Sequence, residues 1–229
     1  KTLITQPNCS HSELLFVLFV ICLLRQTGAG FREKSGGFRK IFKGRCEFVF
    51  LDAPLKIPCT EGEDQGLGWW FSKPDDSFSA IDYTDFQRGF EESAEVVKEA
   101  LRTQGPFDGI LAFSQGAAFA TLLQMLMEHH PEEWNAPIVK FAILVATFRS
   151  RSSVHTPLYR TDQPIKMPTL LVYGEVDNVI PREMTEDLLP YYATPHTTLV
   201  HPGGHMIPIN AAAKQVYKQF IAKFTPDTK

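Results

Sequence analysis

The stretch Gly109-Ile-Leu-Ala-Phe-Ser114-Gln-Gly116-Ala-Ala-Phe-Ala constrains the fold more than any other part of this chain. The apolar run up to Phe113 reads as a buried strand, and the apolar pattern after Gly116 reads as a helix. A single serine is left to make the sharp turn between them. Such a turn closes only when the residues two positions on either side are small, so that strand and helix can approach. Ala112 and Gly116 hold those positions, with alanine where a glycine is usual. A serine raised on this kind of turn, a nucleophile elbow, is a candidate nucleophile.

A serine hydroxyl is weakly nucleophilic at neutral pH, so it needs an imidazole to take its proton and an acid to orient that imidazole. On an α/β-hydrolase sheet these partners follow in the order serine, acid, histidine, each on a loop after a later strand. The chain supplies both in that order. Past the apolar run Pro168–Gly174 comes Glu175-Val-Asp177-Asn-Val-Ile-Pro181, and past Thr197–His201 comes Pro202-Gly-Gly-His205-Met-Ile-Pro208. Asp177 is the expected acid and His205 the expected base. Glu175 and His201 are their nearest competitors. An oxyanion formed at Ser114 needs preorganised donors, expected to be the backbone N–H groups of Gln115 and, in the loop after the first strand, of Leu24.

Strand-like and helix-like segments alternate along the rest of the chain, the pattern of a parallel sheet covered on both faces. Strands are expected near Leu14–Leu23, Cys46–Leu51, Gly109–Phe113, Phe141–Ala146, Thr169–Tyr173 and Thr197–His201. Helices are expected over Phe31–Lys43, Arg88–Thr103, Gln115–Glu128, Arg182–Tyr192 and Ala211–Phe224. Ala53–Ala80, rich in Pro, Ser, Asp and Gly, and Thr147–Lys166, with three serines and two prolines, read as loops or partial lids. The first carries Trp69-Trp70-Phe71, which either walls an acyl pocket or pins the loop to the core. The expected substrate-binding set is Trp69, Trp70, Phe113, Ile180 and Met206.

Six motifs together are more specific than the elbow alone: Gly30-Phe-Arg-Glu-Lys34, Gly68-Trp-Trp-Phe71, Gly105-Pro-Phe-Asp-Gly109, Phe113-Ser-Gln-Gly-Ala117, Gly174-x-x-Asp177-x-x-Ile-Pro181 and Gly203-Gly-His205-x-Ile-Pro208. On these the chain resembles the family of serine hydrolases, the FSH type, within the α/β-hydrolase superfamily. The resemblance implies a three-layer α/β-hydrolase sandwich with a mostly parallel central sheet and no cofactor. It also implies cleavage of carboxylic esters or thioesters with Ser114, Asp177 and His205 as the triad. The chain departs from the family after the first strand, where Cys22, Leu23 and Leu24 replace a small residue, a glycine and an aromatic. A crowded loop there would weaken the second oxyanion donor, so the competing expectation is a weak or inactive hydrolase-fold binding protein.

At 229 residues the chain suits one α/β domain over 1–229, with residues 1–13 unplaced. A formal net charge of -3 gives no footprint for nucleic acid, and oligomeric state carries no signal. The spacing of Cys9, Cys22, Cys46 and Cys59 matches no metal or redox motif, and reduced thiols fit a cytoplasmic protein. No metal is expected, since His129 and His130 are adjacent and point to different sides of a helix. The apolar block Leu14–Leu24 would rise only about 16 Å as a helix against roughly 30 Å of hydrocarbon, so it does not span a membrane. It reads either as a strand buried on both faces or as a signal-peptide core, which would make the protein secreted. The motif just downstream favours the strand. A remote alternative, a dinucleotide-binding oxidoreductase, rests on Gly28, Gly30 and Asp52, but Glu33 stands where the third glycine belongs.

Overall fold

The computed structural model describes residues 16–21, 24–59 and 65–225. Its first half runs β1 (Phe16–Ile21), α1 (Gly28–Lys34), α2 (Gly36–Ile41), β2 (Cys46–Leu51), β3 (Leu55–Lys56), β4 (Leu67–Gly68) and α3 (Phe90–Thr103). The second runs β5 (Gly109–Phe113), α4 (Gln115–His129), α5 (Pro131–Trp134), β6 (Phe141–Val145), β7 (Thr169–Gly174), α6 (Arg182–Glu186), β8 (Thr197–His201) and α7 (Ala211–Ala222). Lys1–Glu13, the outer residues of the predicted first strand (Leu14, Leu15, Cys22 and Leu23) and Cys9 lie outside the described residues.

Six strands form one parallel sheet in the order β2-β1-β5-β6-β7-β8. Every residue of β5, β6 and β7 is buried, which explains why these strands read as unbroken apolar runs. The edge strands β2 and β8 are partly exposed. Helices flank the sheet to give the three-layer architecture. Phe38 of α2 meets Tyr217 of α7 at 4.9 Å, and Phe90 of α3 meets Phe119 of α4 at 5.5 Å.

The chain steps outward from β1 to β2, then crosses back to β5 and continues the other way. The order therefore reverses between β1 and β5, and the loops leaving these neighbours diverge at their carboxyl ends. Ile21 pairs with Ala112 in this ladder, so the loop after β1 and the turn holding Ser114 emerge side by side. Topology alone places the functional crevice there.

Several boundaries differ from expectation for local reasons. The helix expected over Phe31–Lys43 is two helices, because Ser35 leaves helical geometry (ψ 6°) and is followed by two glycines. α1 also starts earlier, capped by the Thr27 hydroxyl on the Gly30 N–H at 3.1 Å. α3 begins at Phe90 because Gly89 is left-handed (φ 84°). The helix expected over Arg182–Tyr192 stops at Glu186 and resumes as a 3-10 turn over Leu189–Tyr191, since Pro190 has no N–H to donate. The loop Ala53–Ala80 contains the antiparallel pair β3–β4, and Thr147–Lys166 contains a 3-10 turn over Ser153–Leu158. Asp52 is used by the fold, accepting from the Gly28 N–H at 2.6 Å rather than standing free for a ribose. Among the described residues no helix is long and apolar enough to cross a membrane.

The 3-10 turn is anchored by His155, 2% exposed, whose Nδ1 lies 2.7 Å from the Ser150 hydroxyl and whose Nε2 lies 3.3 Å from Gln87 Oε1. Burial holds its pKa down to about 4, against a smaller opposing pull from Glu91. An unfolded chain protonates this ring near pH 6.5, so between the two values the unfolded state binds more protons. The neutral ring's contribution is complete above pH 6.5 and lost as pH falls to about 4, a loss of about 3 kcal/mol. Urea titrations across that window are expected to show a steep acid limb that flattens in His155→Gln.

Candidate active site

The Ser114 N–H extends the β5–β6 ladder by donating to the Val145 carbonyl at 2.9 Å, and the backbone then turns abruptly at φ 56°, ψ -123°. A non-glycine residue held there stores about 1–3 kcal/mol, which a structure retains only where the surroundings enforce it. The Ser114 carbonyl accepts from the Ala117 and Ala118 N–H groups, so α4 starts directly at the serine. Its first N–H groups have no intrahelical acceptor. Among the described residues nothing accepts from the Gln115 N–H, which is thus available beside the hydroxyl. The Gln115 side chain is occupied: Oε1 accepts from the Trp69 N–H at 3.0 Å and Nε2 donates to the Trp70 carbonyl at 2.8 Å.

Asp177 sits on the loop after β7 with its side chain 1% exposed. Its Oδ1 accepts from the Val179 and Ile180 N–H groups, both at 2.8 Å, and its Oδ2 faces His205 Nδ1 at 2.8 Å. Both carboxylate oxygens are therefore satisfied, as a buried charge requires. On the loop after β8, His205 presents Nε2 to the Ser114 hydroxyl at 3.0 Å. A carboxylate only accepts, so Nδ1 carries the proton of the neutral ring and the Nε2 lone pair faces the serine. The ring lies 4.7 Å from Phe113, which stacks on Phe31 at 6.1 Å.

Gly174 holds the histidine loop close to the sheet. A methyl built there would overlap the carbonyl oxygens of Gly203 and Gly204, the latter at 2.8 Å. Gly174→Ala must push Gly203–His205 outward, and a 1 Å misplacement is enough to cost about a hundredfold in rate. Steady-state kinetics of that variant are expected to show a loss of this order in kcat, together with a lowered Tm.

A groove of about 510 Å³ opens at His205 between α1, α2 and the loop after β8, within the range of small-molecule sites. Phe31, Phe38, Phe113, Met206 and Ile209 supply apolar lining, and Gln26 and Lys34 supply polar groups. Ser114 is outside the lining, one hydrogen bond away at His205 Nε2.

Of the expected substrate-binding residues, Phe113 and Met206 line this groove, whereas Trp69, Trp70 and Ile180 do not. Trp69 and Trp70 are fully buried; Trp69 stacks on Phe119 at 5.0 Å and Trp70 meets Phe78 edge-on at 4.9 Å. They pin the loop before α3 to the core, because two adjacent indoles gain more from full burial than from lining a wet cleft. Ile180, also buried, serves the site through its N–H on Asp177. Leu24 lies on the loop after β1, with its side chain against Leu55, Ile57 and Phe71. Cys22 and Leu23 are outside the described residues. Glu175 is exposed, and His201 is buried at the end of β8, its pKa lowered by that burial. Neither competitor is hydrogen-bonded to Ser114 or His205. Sequence reasoning missed Gln26, Phe31, Lys34, Phe38 and Ile209 as groove residues. The Gly30–Lys34 motif was the available signal, since α1 starts from the same sheet edge as Ser114.

A parallel sheet that reverses order between β1 and β5, with a strained serine beyond β5 and a histidine and aspartate on two later loops, defines an α/β hydrolase. The chain belongs to the serine hydrolase (FSH1) family, whose profile matches residues 17–217. It is 41% identical over 226 residues to Esterase OVCA2 of Danio rerio, with 90% of this chain and 97% of that protein covered. It is 38% identical over 223 residues to Esterase OVCA2 of Homo sapiens, with 90% and 96% covered. Among solved structures, esterase PE8 superposes with a TM-score of 0.63 at 18% identity, covering 91% of this chain and 92% of that one. Acyl-protein thioesterase 2 of Zea mays superposes with a TM-score of 0.61 at 16% identity, covering 94% and 97%. The protein is thus a serine hydrolase, and neither the binding-only reading nor the oxidoreductase reading is favoured.

Proposed function

We propose that the protein hydrolyses carboxylic esters or thioesters through an acyl-enzyme on Ser114, with His205 as general base and then acid and Asp177 as its orienting partner. The observation that carries this reading is the continuous hydrogen-bond chain from Ser114 Oγ to His205 Nε2 at 3.0 Å and from His205 Nδ1 to Asp177 Oδ2 at 2.8 Å. As Ser114 attacks the acyl carbon, its proton passes to Nε2, and Asp177 stabilises the imidazolium without being protonated itself. The oxyanion accepts from the Gln115 N–H and from the Leu24 N–H on the adjoining loop. When the tetrahedral intermediate collapses, the imidazolium gives its proton to the departing oxygen or sulfur. Water deprotonated by the same imidazole then releases the acid.

The apolar side chains of the groove support a substrate with an apolar arm, and the esterase names of the relatives support an ester as the scissile bond. Rapid-quench mass spectrometry during turnover of a short p-nitrophenyl ester is expected to find Ser114 carrying the mass of the acyl group. Turnover with no covalent species at that residue would sink the acyl-enzyme assignment.

A further inference from the structure

A second cleft, of about 350 Å³, lies between the loop after β6 and the segment before α3. Its lining includes Tyr83, Thr84, Arg149, Arg151, Ser153 and Thr156, with no acidic and no aliphatic side chain. The Arg149 guanidinium stacks 5.1 Å and 5.5 Å from the Tyr159 and Tyr191 rings, and among the described residues no carboxylate pairs with it. The two rings are themselves 5.3 Å apart and edge to face, so they hold the cation from one side, and among the described residues its N–H groups have no acceptor. Arg151 donates from Nη1 to the Tyr83 hydroxyl at 2.6 Å, while its Nε is buried with no acceptor. Its nearest carboxylate, Asp187, is 3.8 Å away and 58% exposed, too distant for a good hydrogen bond. Ser153 and Thr156 are exposed at the cleft, and among the described residues their hydroxyls have no protein partner.

These donors are held in place. The Thr84 N–H donates to the Arg151 carbonyl at 3.2 Å and the Ser153 N–H to the Thr84 carbonyl at 2.8 Å, while the Ser150 N–H is tied to the Tyr159 hydroxyl at 2.8 Å. Donors that line a cleft without a protein acceptor are open to an acceptor from solution. Two guanidinium groups and several hydroxyls are more than a carboxylate's two oxygens can use. A phosphate, with three terminal oxygens and nearly two charges, matches them.

We propose that this cleft is a phosphate-binding site in which Arg149 and Arg151 supply the charge and Ser153 and Thr156 complete the hydrogen bonding. Arg149 is four residues beyond Val145, whose carbonyl accepts from the Ser114 N–H, so its Cα lies within about 14 Å of Val145. The phosphate is therefore either free in solution or the end group of an ester long enough to reach from Ser114.

The test is titration of the purified protein with inorganic phosphate by calorimetry, against chloride at equal ionic strength. Saturable binding is expected, weakened about tenfold or more in Arg149→Gln and in Arg151→Gln and severalfold in Arg149→Lys, which keeps the charge but loses the fork. Asp187→Asn, which removes a nearby negative charge, is expected to tighten binding, and Lys166→Gln, outside the cleft, to leave it unchanged. Absence of binding beyond chloride overturns the proposal, as does binding that Arg149→Lys and Asp187→Asn leave unaltered; the first keeps a cation beside the tyrosine rings and the second is at an exposed side chain, so both spare the fold if Arg151→Gln does not. Matched esters with and without a terminal phosphate separate the sources. A kcat/KM preference for the phosphorylated ester that disappears in Arg149→Gln assigns the site to substrate, and phosphate binding without that preference assigns it to free phosphate. Because calorimetry needs no turnover, failure of the Ser114 assignment and failure of this one are told apart.

Discussion

Replacing Ser114 with alanine is expected to lower kcat for any ester the protein turns over by roughly 10⁶-fold, the scale on which breaking a serine–histidine unit acts. The variant should remain folded. Alanine keeps the Cβ, the same backbone torsions (φ 56°, ψ -123°) and the bond from N–H 114 to the Val145 carbonyl; only the hydroxyl at His205 Nε2 is lost. His205→Ala should be similarly inactive, and the double variant little worse than either alone, because the two residues act as one unit. Stopped-flow or end-point hydrolysis together with a denaturation curve reads both halves of this expectation. Activity within tenfold of the parent in Ser114→Ala would mean that another residue attacks the ester.

The second large effect is Asp177→Asn, expected to reduce kcat about 10⁴-fold with little change in stability. The reason lies in the two oxygens. Oδ1 accepts from the Val179 and Ile180 N–H groups, and an asparagine oxygen in its place preserves both bonds and the turn. The amide nitrogen must then replace Oδ2 and donate to His205 Nδ1. That forces the other tautomer, with Nε2–H aimed at the Ser114 hydroxyl, and a ring so arranged cannot accept the serine proton. Asp177→Ala lacks both functions and is expected to lose stability as well, by about 1–3 kcal/mol, because two N–H groups are left without an acceptor. A small kcat effect in Asp177→Asn, or unfolding of Asp177→Asn but not Asp177→Ala, would contradict this division of labour.

The central strands and the three-residue chain were legible in sequence because their causes are local. A strand buried on both faces must be continuously apolar, and a serine on a sharp turn must have small residues two positions away. Order along the chain then picked Asp177 over Glu175 and His205 over His201, and the hydrogen bonds follow that choice. The groove was not legible, because its walls come from elements distant in sequence: Phe31 and Phe38 from the first helices, Phe113 from the middle of the chain, Ile209 from near its end. The Trp69-Trp70 pair misled for the opposite reason. Its composition suits a pocket, but its place was decided by the side chain of Gln115, which clamps the backbone on both sides of the pair from α4. The breaks at Ser35 and Glu186 depended on one backbone torsion and one missing N–H, details a periodic pattern averages away.

Covalent labelling with a fluorophosphonate tests the central claim most directly, since phosphonylation requires a serine whose proton is already being drawn off by a base. The account predicts a single adduct, located by tryptic mass spectrometry on Ser114, that is absent in Ser114→Ala and nearly absent in His205→Ala. An adduct on a different residue, or no adduct on protein shown to be folded, would contradict it.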